Sequence, residues 1–262
     1  MTKMIILAAG QGTRLQPLTD DRPKCMVEVQ GKSMLAWQIE TARGVGVDSI
    51  TVVRGYKEDI IDFANVHYLR NPVFDSTNMV ETLWCAEASF GEEFIVSYGD
   101  IIYEKRILQG LLSDKHDIAV VVDKAWQALW SKRFENVLDD AETLKINEKG
   151  LISEIGQIPS SIDDIHAQYI GLMAFRGEGI KALRTVYEKA QKDGQRGLLP
   201  LRGQRPFNNL YMTDILQGLV DEGYAVNAVP VQHGWLEVDS VEDLKLAERL
   251  ILPDKESFTI QT

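Results

Sequence analysis

Cysteine is scarce in this chain: Cys25 and Cys85 stand alone among 262 residues, without C-x-x-C spacing. That excludes a disulfide framework and a cysteine zinc site, and it fits a reducing compartment. Cys25 follows Lys24 and has two readings, a reactive thiol or a small buried apolar residue; we take the second. The four histidines, His67, His116, His166 and His233, lack metal-ligand spacing, and no Ser/His/Asp pattern stands out. Positive charge is also short, with 28 Lys and Arg against 39 Asp and Glu and a formal charge of −11. Such an acidic balance argues against nucleic acid or a membrane surface as the main partner, since both are anionic. No apolar run approaches a membrane span. The first ten residues faintly imitate a secretion signal, with Lys3 before an apolar stretch, but the stretch is short and Arg14 follows. A soluble cytoplasmic protein is the expectation. Internal repeats and Gly/Ser/Pro-rich linkers are absent as well.

What is present begins at the N-terminus. Met4-Ile5-Ile6-Leu7-Ala8-Ala9 is a short uncharged apolar run and reads as a buried strand. It ends in Gly10-Gln11-Gly12-Thr13-Arg14, and Pro23-Lys24 follows. Glycine lets main-chain N–H groups converge and a bulky ligand approach. Arg14, Arg22 and Lys24 concentrate cations locally, as an acidic protein must if it binds a polyphosphate. The loop lacks the GK[ST] ending of the P-loop and the third glycine of a dinucleotide fingerprint.

Strands are expected near Met4–Ala8, Ser49–Arg54, Val66–Leu69, Phe94–Tyr98 and Ile118–Val122. Helices are expected near Met34–Gly44, Glu58–Ala64, Met79–Ser89 and Glu104–Ser113, with Ser33 and Asn78 as N-caps. The alternation predicts a mostly parallel sheet covered by helices, with ligands at the carboxyl ends of the strands. From about residue 124 the rhythm changes. Thr143–Ile146 and Leu151–Ile155 read as a hairpin, Gln168–Phe175 as a strand and Ile180–Gln191 as a helix. Gly194–Asn209 reads as an exposed loop, Met212–Asp221 as a helix, Ala225–Pro230 as a strand and Val241–Leu250 as a helix. The economical division is one domain over 1–252, with a substrate-specific excursion around 124–175, and a frayed tail over 253–262.

The string L-A-A-G-x-G-T-R-L-x-P-L-T…P-K, Leu7 to Lys24 here, resembles the signature of the nucleotidyltransferases that activate sugar phosphates and small phospho-alcohols. The resemblance implies an α/β fold, a Rossmann-like three-layer architecture with a mostly parallel mixed central sheet. It implies a nucleotide site made of Leu7, Ala8, Ala9, Gly10, Gly12 and Thr13, joined by Asn78, Thr82 and Tyr98. Arg14 and Lys24 would be catalytic. Asp100, after the apolar strand Phe94–Tyr98, and Glu237, in Gly234-Trp235-Leu236-Glu237-Val238-Asp239, would hold the catalytic Mg2+. Asp239 is read as a cap or supporting residue rather than a direct ligand. Helix capping is the plain alternative for Asp100 and Glu237 too.

The stretch Asn71-Pro72-Val73-Phe74-Asp75-Ser76-Thr77-Asn78, followed by Thr82-Leu83-Trp84, resembles a narrower group, the bacterial phosphocholine and 2-aminoethylphosphonate cytidylyltransferases. This implies CTP and a small phosphorylated or phosphonate acceptor as partners. Asn78 would meet a pyrimidine edge, or simply cap its helix. In Asp123–Arg133, Trp126 and Trp130 lie four apart on one helical face and would either wall an ammonium group or pack. Asp123 would neutralise an amine, Arg133 hold a phosphate or phosphonate, and Tyr169 add a wall. Asp139-Asp140-Ala141-Glu142 reads as a solvated turn, with a substrate role left open by the resemblance. The rival readings are a sugar-1-phosphate enzyme using UTP, dTTP or GTP, and a catalytically silent nucleotide-binding subunit. The acceptor and the oligomeric state, a homodimer among the options, stay open.

Overall fold

Lys3–Ala8 starts the central sheet, and its alternation shows why both faces of that sheet are covered. Met4, Ile6 and Ala8 enter one apolar layer while Ile5 and Leu7 enter the other. An unbroken apolar run is what a strand buried on both faces needs. The computed structural model describes residues 2–253 and 258–260. The main sheet runs in the order Asn227–Val231, Ile118–Asp123, Gln168–Arg176, Glu93–Tyr98, Lys3–Ala8, Ser49–Arg54, His67–Arg70. Neighbours are parallel except around Gln168–Arg176, which is antiparallel to both of its partners. The fold is therefore α/β, Rossmann-like, with a mostly parallel mixed sheet.

Helices α1 (Met34–Arg43), α2 (Met79–Trp84), α3 (Lys105–Ser113), α4 (Trp126–Arg133), α5 (Gly177–Gln195), α6 (Met212–Asp221) and α7 (Val241–Leu250) supply the outer layers. α1, α3, α4 and α7 share one core with the sheet, and α2, α5 and α6 share the other. Ser33 caps α1 by accepting from Ala36 N at 3.2 Å, as its sequence position suggests. Among the described residues no helix is long and apolar enough to cross a membrane.

Two expected helices are shorter than their patterns. Of Glu58–Ala64 only the 3₁₀ turn Glu58–Ile60 forms. The Arg54 guanidinium takes the carbonyls of Glu58 and Ile61, both at 3.2 Å, and the Tyr68 hydroxyl takes Phe63 N–H. Main-chain groups spent on side chains are unavailable to a helix. Met79–Ser89 divides into α2 and the separate turn Glu87–Ser89, which lets Phe90 turn in and stack on Phe94 at 4.2 Å. The expected tail also needs correction. Ile251–Pro253 pairs antiparallel with Phe258–Ile260, and Ile260 is buried; residues 254–257 and 261–262 lie outside the described residues.

Two features of the sheet place the site. Leu7 pairs with Tyr98, and Gly99 N donates to Leu7 O at 2.9 Å, so the glycine loop and Asp100 leave neighbouring strands side by side. The short strand Trp235–Glu237 pairs antiparallel with Ile101–Tyr103, with Glu237 opposite Ile101, and Val238 N donates to Asp100 O at 3.0 Å. That small ladder brings the two acidic segments together across the chain.

Candidate active site

Gly12 sits in the left-handed region (φ 75°), and a Cβ there would fall 2.7 Å from Lys24 Cβ. The loop thus needs glycine twice over, for its backbone and for the passage of Lys24 behind it. Thr19, fully buried, donates to Gly12 O at 2.9 Å and fixes the turn. A Gly12→Ala variant should lose stability on the order of 1–3 kcal/mol and also lose turnover, because Lys24 must shift; urea titration and steady-state rates check both. Gly10 differs: a Cβ there would meet nothing within 4 Å. Its open flank belongs to the space above the loop.

Lys24 reaches from this loop into the acids. Its Nζ lies 2.7 Å from Asp100 Oδ2 and also contacts Asp239 Oδ1. Burial works against its charge, but Asp100, Asp239 and Glu237 outweigh that and raise its pKa. Oxygens of Asp100, Glu237 and Asp239 lie within 4.8 Å of one another. Burial, reinforced by Asp239, raises Glu237 above the usual carboxylate range; Asp239, which burial alone would raise, is lowered by Lys24 and by the arginines Arg14 and Arg133. Arg14 stands at the mouth with Nη2 3.0 Å from Asp239 Oδ2.

Asp239 thus stands in the cluster beside Asp100 and Glu237, and of its two readings, cap or supporting residue, the cap does not hold. The cap of α7 is Ser240, in a box with Asp243. Asp100 caps nothing either, since α3 begins after Glu104. Oxygen-only acids of this kind suit a hard dication such as Mg2+. Asp100 Oδ1 adds to the fit: it is buried and has no hydrogen-bond partner among the described residues.

Beside the loop lies a pocket of about 140 Å³ lined by Leu7, Ala8, Ala9, Gly10, Asn78, Thr82 and Tyr98, with Lys24 and Asp100 at its edge. Gly12 and Thr13 do not line it. Asn78 is the helix cap: its Oδ1 accepts from Met79 N at 2.8 Å, while its own N–H donates to Asn208 O at 2.9 Å. Asn71, 1% exposed, clasps Thr77 Oγ1 at 2.9 Å and Thr82 Oγ1 at 3.0 Å. The Asn-Pro…Thr-Asn segment is therefore a braced loop, and Thr82 serves the brace as well as the wall. Cys25 is buried, and burial pushes its thiol up to about 12, which removes the reactive reading.

Past the acids opens a larger cleft of about 580 Å³. Arg14, Lys24, Tyr98, Asp100, Trp130, Tyr169, Glu237 and Asp239 all reach it. Gly171 makes this wall possible: its φ is 80°, the strand register shifts there, and a Cβ would strike the Tyr98 ring at 2.8 Å. Tyr98 and Tyr169 meet edge to face at 5.6 Å.

Three expected acceptor contacts are corrected. Asp123 is fully buried and spends its carboxylate on Trp235 Nε1 at 2.9 Å, Ala125 N at 2.9 Å and His233 N at 3.1 Å. It holds the strand end and the acidic segment together. Trp126 is 2% exposed and packs edge to face on Trp130 at 5.9 Å, so the pair presents no open aromatic cage. Arg133, with a side chain only 1% exposed, is turned inward onto Glu237 at 2.9 Å, Asp243 at 2.8 Å and Asp239 at 3.7 Å. It braces the acids from behind.

Other residues of the cleft were read differently or passed over in the sequence. Asp140 and Glu142 line it, so Asp139–Glu142 is more than a solvated turn. Burial raises Asp140, and it pushes Glu142 up to about 7 while Arg205 pulls the other way. Arg205, Tyr211 and Thr213 complete this end. The signal for Arg205 was available: three arginines in one loop of a markedly acidic chain.

The sequence itself matches a family model over residues 4–158, that of the MobA-like NTP transferase domain. The chain belongs to that family. This nucleotidyltransferase is 40% identical over 253 residues to the CTP:phosphoglutamine cytidylyltransferase of Campylobacter jejuni, covering 92% of this chain and 97% of that one. Among solved structures, the CTP:phosphocholine cytidylyltransferase of Streptococcus pneumoniae superposes with a TM-score of 0.75 at 22% identity, over 95% of this chain and 98% of that one. The inositol-1-phosphate CTP transferase of T. maritima gives 0.71 at 22% identity, over 95% and 94%. At such identity those two likenesses speak for the fold of this MobA-like transferase.

Proposed function

We propose that the protein transfers CMP from CTP to a small phosphorylated acceptor and releases pyrophosphate. The observation that carries this reading is Lys24 standing between two spaces: it edges the pocket above the glycine loop and the larger cleft, and it is bonded to Asp100 and Asp239. The strong likeness to a relative named for CTP supports the choice of nucleotide.

The glycine loop would receive the triphosphate through its main-chain N–H groups, with the base in the pocket of Asn78, Thr82 and Tyr98. An acceptor phosphate oxygen attacks the α-phosphorus, forming the new P–O bond. The bond from that phosphorus to the α,β-bridging oxygen breaks, and pyrophosphate leaves with the electron pair. The acceptor is already an oxyanion, so no general base is required; alignment and charge neutralisation supply the catalysis. Lys24 would neutralise the α-phosphate and Arg14 the departing pyrophosphate. Asp100, Glu237 and Asp239 would hold Mg2+, which when bound supplies positive charge against the anionic phosphates.

Pyrophosphate release, measured with each of CTP, UTP, dTTP and GTP against phosphoglutamine, phosphocholine, 2-aminoethylphosphonate and glucose 1-phosphate, tests the reading. CTP with a small non-sugar acceptor is the expected best pair. A sugar 1-phosphate with UTP or dTTP as the best pair would overturn it, and nucleotide binding without any turnover would favour a regulatory subunit.

A further inference from the structure

Arg205 and Glu142 both line the larger cleft without forming an ion pair with each other; Asp139 and Asp140 share the lining. Arg205 is set on a firm base. Its Nη1 bonds both oxygens of Asp214, at 2.8 and 3.0 Å, and its guanidinium lies over the Tyr211 ring at 3.8 Å. Asp214, only 7% exposed, is itself locked at the start of α6 by accepting from Tyr211 N at 2.8 Å. Arg205 Nε and Nη2 have no partner among the described residues, which leaves one edge of the fork to a ligand. A planar fork fixed on one side is suited to a carboxylate on the other.

Glu142 is the counterpart. Its main chain is clamped by the buried Gln168, whose Nε2 donates to Glu142 O at 2.7 Å. Its carboxylate forms no ion pair among the described residues, although Arg205 is near enough to influence it. The Thr213 hydroxyl offsets part of the burial cost of this carboxylate, but a half-buried carboxylate with no cation bonded to it stays costly to ionise, and an incoming cation relieves that cost. A third group faces the same cleft unsatisfied: Trp130 Nε1 is buried and has no acceptor among the described residues. Trp126 is packed against Trp130 and does not line the cleft, so the two tryptophans do not form a cage between them.

Building on the transfer reading above, we propose that the acceptor is a zwitterion of the phosphorylated amino-acid type. Arg205 receives its carboxylate and Glu142 its ammonium, while the phosphate points back toward Lys24. An acceptor carrying only a cation leaves the Arg205 fork empty. One carrying only a carboxylate leaves Glu142 unpaired. Both ends together satisfy the site.

The test uses the purified enzyme with CTP and Mg2+, and compares phosphoglutamine with its decarboxylated and its deaminated counterparts and with phosphocholine. Phosphoglutamine should lead, and loss of either charged group should lower kcat/KM by roughly 10–100-fold, the range for a lost hydrogen bond to a charged group. Arg205→Gln should erase the preference for the carboxylate and Glu142→Gln the preference for the amine, each raising acceptor KM rather than CTP KM. Retained CTP protection in a thermal melt shows that a variant is folded. If Arg205→Gln does not fold, the comparison of acceptors on the parent enzyme decides. Phosphocholine ahead of phosphoglutamine, or a carboxylate preference intact in Arg205→Gln, overturns the zwitterion reading and leaves cytidylyl transfer standing. Silence with every acceptor overturns both.

Discussion

Lys24→Ala should lower kcat by roughly 10²–10³-fold, the usual cost of removing a preorganised transition-state donor, with a much smaller effect on the KM for CTP. The argument rests on where the ammonium is held. It is largely buried, it bonds Asp100 at 2.7 Å, and it also contacts Asp239. A lysine held there cannot relax toward bulk water, so its charge is in place before negative charge gathers at the α-phosphorus. On the proposed reading, ground-state grip on CTP comes mainly from the main-chain N–H groups of the glycine loop and from Asn78 and Thr82, all of which the substitution leaves in the chain, although Lys24 edges the same pocket. Lys24→Arg should recover little, because the passage past Gly12 is tight: a Cβ at Gly12 would already fall 2.7 Å from Lys24 Cβ. Steady-state rates at saturating CTP and acceptor decide the matter. Turnover at the parent rate in Lys24→Ala would remove Lys24 from the chemistry.

The parts of this site that the sequence announces are those encoded locally. The glycine loop follows its strand within a few residues, and the acid after Phe94–Tyr98 follows its own strand at once. Conformational demands such as the positive φ of Gly12 leave their mark in residue type. Most of the parallel strands are legible for the same reason, as apolar runs bounded by polar turns; their order in the sheet is set by pairings distant in the chain and is not. What the sequence conceals depends on partners far along the chain. Arg133 reads as a free cation until Asp243, 110 residues later, turns it inward. Asp123 reads as a free anion until Trp235 claims it across 112 residues. The tryptophan pair shows helical spacing correctly, but spacing cannot tell a face toward the core from a face toward a ligand. Arg205 and Glu142 come from a loop and a turn with no periodicity, and only α6 and the strand Gln168–Arg176 bring them to one cleft. The short helix at Glu58 failed for a related reason: Arg54 and Tyr68, outside the segment, capture its main-chain groups.

Arg133→Leu should be the most destabilising of the substitutions considered, by roughly 3–5 kcal/mol, the cost of leaving a buried charge without its partner. The Arg133 side chain is 1% exposed and touches three carboxylates, Glu237, Asp239 and Asp243. Burial opposes its charge, yet Glu237 and Asp243 raise its pKa further above an already high value, so the cation persists throughout the working pH range. Without it, Asp243 loses bonds at 2.8 and 3.3 Å while still serving the cap of α7, and Glu237 loses its contact at 2.9 Å. Glu237 already titrates high through burial and through Asp239; removing a nearby cation raises it further, and protonation is the cheapest escape left to it. Two measurements separate this bracing role from the direct acceptor contact that the sequence suggested. The urea midpoint should fall with an unchanged m-value, and affinity for added Mg2+ should weaken, because on the proposed reading Glu237 is one of its ligands and a protonated carboxyl is a poor one. An acceptor contact would instead raise the acceptor KM and leave the urea midpoint and metal affinity where they were. Arg133→Lys should recover part of the stability, because one ammonium cannot reproduce the fork that spans Glu237 and Asp243 at once.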